Sequence, residues 1–312
     1  MTFPRLSKYF LGFSAILVLA SATLFVVAGP KYSIEFTGGT LLQIELPADK
    51  TRDDVISALQ SYEESAGSAD ATIQPDAGRP AALGNFTVTA VKTASEEAFL
   101  IRLRPMDNEE HISVLAHLRT SLGDVKELKY NTIGPSLSRS LKAKSLQAIA
   151  FASVAVILYL AIAFRKLPRK LNPWKFGVLA IIGFLHDVIV TVGVFIVIGW
   201  FTTFEFDTLF VTALLTILAY SANDTIVIFD RIRANMTFEN RSEELSKIIV
   251  AGLRQCVTRT FSTAFASLIM LISLFFLGSD SIRWFILALI FGTVIGAYSS
   301  YFVAAPLLMY WK

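Results

Sequence analysis

Leu209-Phe210-Val211-Thr212-Ala213-Leu214-Leu215-Thr216-Ile217-Leu218-Ala219-Tyr220-Ser221-Ala222-Asn223-Asp224-Thr225-Ile226-Val227-Ile228-Phe229 is the stretch on which the reading of this chain turns. A bilayer is crossed by roughly 20 predominantly apolar residues, and this run has that length. Its second half nevertheless carries Tyr220, Ser221, Asn223, Asp224 and Thr225 before the apolar run resumes. That is a polar patch inside a membrane helix, expected one to two turns from its cytoplasmic end. Working outward, five more apolar runs of spanning length lie at Leu11–Ala28, Ser145–Phe164, Phe176–Trp200, Phe261–Leu277 and Phe285–Tyr310.

The composition agrees with six spans. Of 312 residues, 54% are hydrophobic and 17% charged, whereas soluble domains carry about 25% charged residues. The first run follows Arg5 and Lys8 and contains Ala20-Ser21-Ala22, as a cleaved signal would. It is longer than a usual signal core and five spans follow, so it is read as an uncleaved helix. A lone cysteine, Cys256, and scattered histidines (His111, His117, His186) exclude an internal disulfide and argue against metal-binding clusters. A net charge of +3 argues against nucleic-acid binding.

Orientation follows from Lys and Arg in short loops. Arg165-Lys166-Leu167-Pro168-Arg169-Lys170 joins the second and third spans, and Arg231, Arg233, Arg241, Lys247, Arg254 and Arg259 surround the link between the fourth and fifth. The opposite side offers only Arg283 in its short loops. Both termini are therefore expected in the cytoplasm. The expected parts are residues 1–29, a cytoplasmic N-terminus and first helix; 30–143, an extracytoplasmic α+β domain; and 144–312, five helices with cytoplasmic loops and C-terminus.

Within the domain, strands are predicted at Tyr32–Phe36 and Thr40–Leu46 around Gly38-Gly39, and at Phe86–Val91, Phe99–Leu103 and Val125–Tyr130. Helices are predicted over Arg52–Tyr62, with Thr51 as N-cap, and Asn108–Leu122. Two helices among several strands suggest a ferredoxin-like arrangement. Ala66–Gly84 reads as an exposed loop, and His111 and His117 as surface residues. Nothing in the domain resembles a catalytic site.

Ionisable groups inside a bilayer cost about 2.5–3.5 kcal/mol on insertion scales, and they face a bundle interior or a water-filled path. Asp224, Arg259, His186 and Asp187 are such groups. Arg259 opens the fifth span within Thr258-Arg259-Thr260, which brings it to the level of Asp224 on the antiparallel fourth. The two can pair, and protonation of the carboxylate would release the arginine; a static lock is the plainer alternative. Tyr220, Ser221, Asn223, Thr225, Thr258 and Thr260 could solvate a moving proton. His186 and Asp187 lie mid-span, either as a hydrogen-bonded packing element reaching Thr191 or as a second titratable station. Asp230, Arg231 and Arg233 suit the cytoplasmic membrane edge. Gly292, Gly296, Ser299 and Ser300 in the sixth span are read as packing residues.

Several segments, taken in order, resemble the SecD/SecF family, relatives of the proton-driven RND transporters. They are Ile34-Glu35-Phe36-Thr37-Gly38-Gly39-Thr40, Gly134-Pro135-Ser136-Leu137, His186-Asp187-Val188, Tyr220 through Val227 with Asp230-Arg231-Ile232-Arg233, and Thr258-Arg259-Thr260. Ala219 and Ala222 depart from the family pattern, which has glycine and a larger aliphatic residue there. The resemblance implies a non-enzymatic protein-export subunit in the bacterial cell (inner) membrane. It implies pairing with SecD, association with the SecYEG channel and with YajC, and an unfolded polypeptide as cargo. The proton would be the coupling ion, with no other cofactor, and Asp224 and Arg259 would be its carboxylate and arginine. Phe36, Gly38, Gly39, Gly134 and Pro135 carry the extracytoplasmic signature. The rivals are a passive scaffold of the translocase and an intramembrane aspartyl protease built on Asp187 and Asp224.

Overall fold

Backbone that crosses a membrane must satisfy its own hydrogen bonds, so apolar runs become helices. The computed structural model describes residues 3–47, 49–67, 83–92, 97–163, 173–238 and 245–310. Among them, six helical stretches are long and apolar enough to span a membrane. They lie on α1 (Phe3–Val27), α5 (Pro135–Ala163), α6 (Pro173–Phe201), α7 (Thr208–Phe238), α8 (Leu245–Leu277) and the succession α9 (Arg283–Ser299), π-helical Ser300–Ala304 and α10 (Ala305–Tyr310). The chain divides into two units: Met1–Lys31 with Ser145–Lys312, and Tyr32–Lys144.

The second unit contains α2 (Ile34–Thr37), β1 (Gly39–Glu45), α3 (Arg52–Gly67), β2 (Thr87–Lys92), β3 (Glu97–Leu103), α4 (Asn108–Leu122) and β4 (Lys126–Ile133). The strands form one sheet in the order β2-β3-β1-β4, with every neighbouring pair antiparallel. Alternation along β1 turns Leu42 and Ile44 into the core, where they join Val55, Leu59, Phe99, Ile101 and Leu118. Asp107 caps α4 through a reciprocal arrangement with Glu110. Arg104 pairs with Glu110 at 2.7 Å, and that carboxylate pushes the guanidinium pKa up.

Two expectations for this unit need correction. Tyr32–Phe36 is not a strand: Ser33 Oγ accepts from the Glu35 N–H at 3.2 Å and starts α2. Gly38, at φ 76°, ends that helix by donating its N–H to Ile34 O. A polar N-cap and a positive-φ glycine five residues on thus override the β-branched and aromatic content. Nor are both histidines plain surface residues. His111 is buried, stacks on Tyr130 with centroids 3.7 Å apart, and lies 3.3 Å from Glu127. His117 is within hydrogen-bond distance of Ser61 Oγ and Ala58 O, tying α4 to α3. The predicted Ala66–Gly84 loop lies mostly outside the described residues, as do Arg165–Lys170 and Arg241.

In the membrane unit, α6, α7 and α9 make the centre, and half of the most apolar window of each of the three spans they carry is buried. Close approach comes from small residues, as expected where lipid removes the hydrophobic drive between helices. A Cβ on Gly292 would collide with Ile217 of α7, and one on Gly193 with Ser21 of α1. One on Gly252 of α8 would come within 2.8 Å of Ile232.

The helix ends differ from the predicted spans. α8 begins at Leu245, well before Phe261, and α7 continues past Phe229 to Phe238. Both extensions are amphipathic, so a count of continuous apolar residues misses them. Ile248, Ile249, Gly252, Leu253 and Cys256 recur at helical spacing and are buried. Arg259 therefore sits within α8 instead of opening it, and Asp224 lies near the middle of α7. The π-helical Ser300–Ala304 precedes Pro306. Proline lacks an N–H and its ring crowds the carbonyl four residues back, here that of Phe302, and the widened turn accommodates both.

Candidate functional site

The helical period places Ser221, Asp224 and Thr225 of α7 on one face, since residues three and four apart are neighbours. All three are buried, and Asp224 is only 4% exposed. Asn223 is rotated away and is exposed. The buried face meets α6 and the last span, where Gly296 lets Ser221 approach: a Cβ there would lie 3.3 Å from that of Ser221.

A hydrogen-bonded network results. His186 Nδ1 lies 3.0 Å from Asp187 Oδ1. Asp187 Oδ2 accepts from the Ser221 hydroxyl of α7 and from the Ser299 hydroxyl of α9 at 2.9 Å. The next residue, Ser300, is 3.0 Å from Thr225 Oγ1. Hydroxyls thus connect α6, α7 and the start of the π-helical turn through the fully buried Asp187 carboxylate. Its partners are those serines and His186; Thr191, the partner expected one turn on, has a buried hydroxyl with no hydrogen-bond partner among the described residues. Oδ2 turns toward the neighbouring helices, while Oδ1 stays beside His186 of its own.

Ser299 and Ser300, expected as packing residues, belong to this network. Gly292 and Gly296 do provide close packing. The available signal was two adjacent hydroxyls in an otherwise apolar span that faces a span with Ser221 and Thr225.

Asp224 stands apart from that network. Its Oδ2 is buried and has no hydrogen-bond partner among the described residues. Tyr220, Tyr301 and Arg259 lie within electrostatic reach of it. The Thr260 and Tyr301 hydroxyls sit beside each other without a well-formed hydrogen bond. Asp187 and Asp224 are closer in depth than expected from their places in the apolar runs. Ser221, the Asp187 partner, precedes Asp224 by three residues, an axial rise of about 4.5 Å.

Arg259 does not form the expected ion pair: among the described residues it makes no salt bridge, within 4.0 Å, to Asp224. Its side chain and Thr258 are exposed on α8, while Thr260 is buried. The guanidinium instead lines a cavity of about 550 Å³ between α5, α7 and α8, with Asp230, Arg231 and Arg233. There Arg233 pairs with Asp230 at 2.8 Å, and Arg231 Nε donates to Gln255 Oε1 at 2.6 Å.

The remaining predicted positions lie in the other unit and at its exit helix. Phe36 is half-buried, its ring edge-on to Tyr32. Gly39 has φ 128°, and a Cβ there would lie 2.9 Å from Leu103 O, so only glycine can occupy this strand start. Gly134 O accepts from the Ser138 N–H, and Pro135 occupies the first position of α5, where a missing N–H costs nothing. No group of three or more His, Cys, Asp or Glu side chains among the described residues is arranged to hold a metal ion.

Comparison with known proteins gives matches along the whole chain. The family model described as protein export membrane protein SecD/SecF, C-terminal, matches residues 113–312, and that of the SecD/SecF GG motif matches residues 23–46. The protein translocase subunit SecF of Thermobaculum terrenum is 35% identical over 96% of this chain and 90% of its own. The SecF subunit of Desulfurispirillum indicum is 34% identical over 99% of this chain and 91% of its own. The crystal structure of SecDF from Thermus thermophilus, described as a translocon-associated membrane protein, superposes with a TM-score of 0.79 at 28% identity. That match covers 100% of this chain and 38% of the longer SecDF chain.

Proposed function

Because the chain belongs to the SecD/SecF family of protein export membrane proteins, we propose that it acts as a SecF-type translocase subunit that couples proton movement to polypeptide export. Its relatives are translocase subunits and the matching family model describes an export membrane protein, not an enzyme. Association with a SecD partner is supported by the superposition on SecDF, in which this chain accounts for a minor share of the length. Contact with SecYEG and YajC belongs to the same reading, with an unfolded chain as cargo. The βαββαβ order and the strand arrangement support a ferredoxin-like fold for the Tyr32–Lys144 unit. The concentration of Lys and Arg near the α5–α6 and α7–α8 links supports an inner-membrane orientation with cytoplasmic termini and the domain outside.

The observation that carries the coupling is the unpaired, buried Asp224 carboxylate within reach of Arg259. An ionised group without partners is costly in a bilayer, so its charge state and the position of the arginine are linked. Protonation removes the charge, and deprotonation draws the guanidinium inward. The neighbouring Asp187 is already held by hydroxyls of two other helices, which suits a fixed joint between them. A protease dyad needs two carboxylates sharing one site, whereas here Asp187 is committed to Ser221 and Ser299. The test is export into inverted membrane vesicles with and without a proton gradient. Asp224→Asn and Arg259→Met should each abolish the stimulation by the gradient while leaving assembly with SecD intact. Full stimulation in both variants would favour the passive scaffold.

A further inference from the structure

Asp224 is not the only buried polar group left open at its depth. Asp224 Oδ2 on α7, Thr260 Oγ1 on α8 and the Tyr301 hydroxyl on the last span all lack a hydrogen-bond partner among the described residues. The three residues are only 4%, 2% and 5% exposed. Buried polar groups are hydrogen-bonded in the great majority of cases, so three orphans in one place call for an arrangement that pairs them. A partner subunit laid against this chain does not reach these atoms, because the chain's own side chains already cover them.

Tyr301 has access to both of the others. Its hydroxyl lies beside that of Thr260 and within electrostatic reach of Asp224. The preceding residue, Ser300, is 3.0 Å from the hydroxyl of Thr225, which follows Asp224, so this turn of the last span is fixed at the depth of the carboxylate. The turn is the π-helical Ser300–Ala304, of a kind frequent at functional sites. A phenol has one O–H to donate, so it can answer either neighbour but not both. The other titratable groups here are Tyr220 on α7 and Arg259 and Cys256 on α8, while His186 and Asp187 of α6 are engaged with each other and with serines.

We propose that Tyr301 is a positioning residue whose hydroxyl donates to Asp224 when that carboxylate is ionised and to Thr260 when it is protonated. The coupling proton moves on and off the carboxylate alone, and the phenol keeps its own. The charge on Asp224 then decides whether the last span is bonded to α7 or to α8. With the carboxylate ionised, Thr260 is let go, and the turn of α8 that carries the adjacent Arg259 is free to approach. This inference rests on Asp224 changing charge, as in the proposed function.

The full chain, reconstituted with a SecD subunit in lipid vesicles, is examined by infrared difference spectroscopy between acid and alkaline pH. The carboxyl band of Asp224 is the one lost in Asp224→Asn. In the parent chain its disappearance should be accompanied by a shifted tyrosine C–O band. Tyr301→Phe, which keeps the ring against Phe261 and Phe302, should remove that tyrosine signal. Tyr298→Phe should keep it, since that phenol on the same span is bonded to Ser14 at 2.9 Å. In inverted vesicles, Tyr301→Phe and Thr260→Val should each lower the stimulation of export by a proton gradient about threefold or more. That factor is equivalent to about 0.6 kcal/mol, an average interhelical hydrogen bond in membranes. Thr260→Ser, which restores the hydroxyl, should keep the stimulation. A tyrosine signal unchanged in Tyr301→Phe would overturn the inference and leave the proton reading standing. Equal loss in Thr260→Ser and Thr260→Val would overturn it as well, since the effect would then be one of packing. Full stimulation in Asp224→Asn would overturn the proton reading instead, and the absence of any titrating Asp224 band would overturn both.

Discussion

Asp187→Asn and Asp224→Asn are the same substitution at two buried aspartates one helical turn apart in depth, and their effects should be opposite in kind. Asp187 accepts from Ser221 and Ser299 and lies 3.0 Å from His186 Nδ1. An asparagine has only one acceptor oxygen, so at least one of these donors loses its partner. Interhelical hydrogen bonds in membranes are worth about 0.6 kcal/mol on average and up to about 1.7. Both serines share Oδ2, so an amide that puts its NH2 there loses both bonds at a cost of about 1–3 kcal/mol, and one that puts its carbonyl there loses the His186 bond at about 0.6–1.7 kcal/mol. Asp224 Oδ2 has no partner to lose, so its replacement should change stability by less than about 1 kcal/mol. Equilibrium unfolding of the full chain in mixed micelles measures both. A double-mutant cycle between Asp187→Asn and Ser299→Ala should show coupling, because the contact is direct. Export assays should show the reverse order, with Asp224→Asn losing gradient stimulation at near-normal stability. If Asp187→Asn is as stable as the parent chain, or the cycle shows no coupling, the hydroxyl network is not what joins α6, α7 and α9.

Other expectations follow from single contacts. Gly292→Val should destabilise the bundle by about 1–3 kcal/mol through overpacking against Ile217, and Ile217→Ala should recover part of that loss in the same unfolding assay. Phe99→Ala, at a side chain 1% exposed in the α+β core, should cost about 3–5 kcal/mol, read as a lower unfolding midpoint of that unit. Burial pushes the Tyr130 phenol pKa above 10.0. The unfolded chain then loses this proton first, and stability falls as pH rises from the unfolded value toward the folded one. Tyr130→Phe should flatten that alkaline slope; an unchanged slope would assign it to other groups.

The number of spans, the insertion of a polar domain after the first, and the two helices and most strands of that domain were legible from the residues alone. Bilayer thickness and side-chain periodicity are local constraints that a linear reading can count. The residue types of the candidate site were legible too, because an aspartate in an apolar run is conspicuous wherever it folds. Which carboxylate is satisfied depends instead on how the helices pack. Ser221 and Ser299 both answer Asp187 although one precedes and the other follows long intervening helices, and that pairing is fixed by how closely Gly296 lets α9 approach α7. Packing also decided that Arg259 lies inside a helix beginning at Leu245, since amphipathic turns show their character only when one face has something to pack against. Hydrogen bonds between distant helices depend on distances of a few tenths of an ångström, and those arise from packing the whole bundle, beyond any property of a single segment.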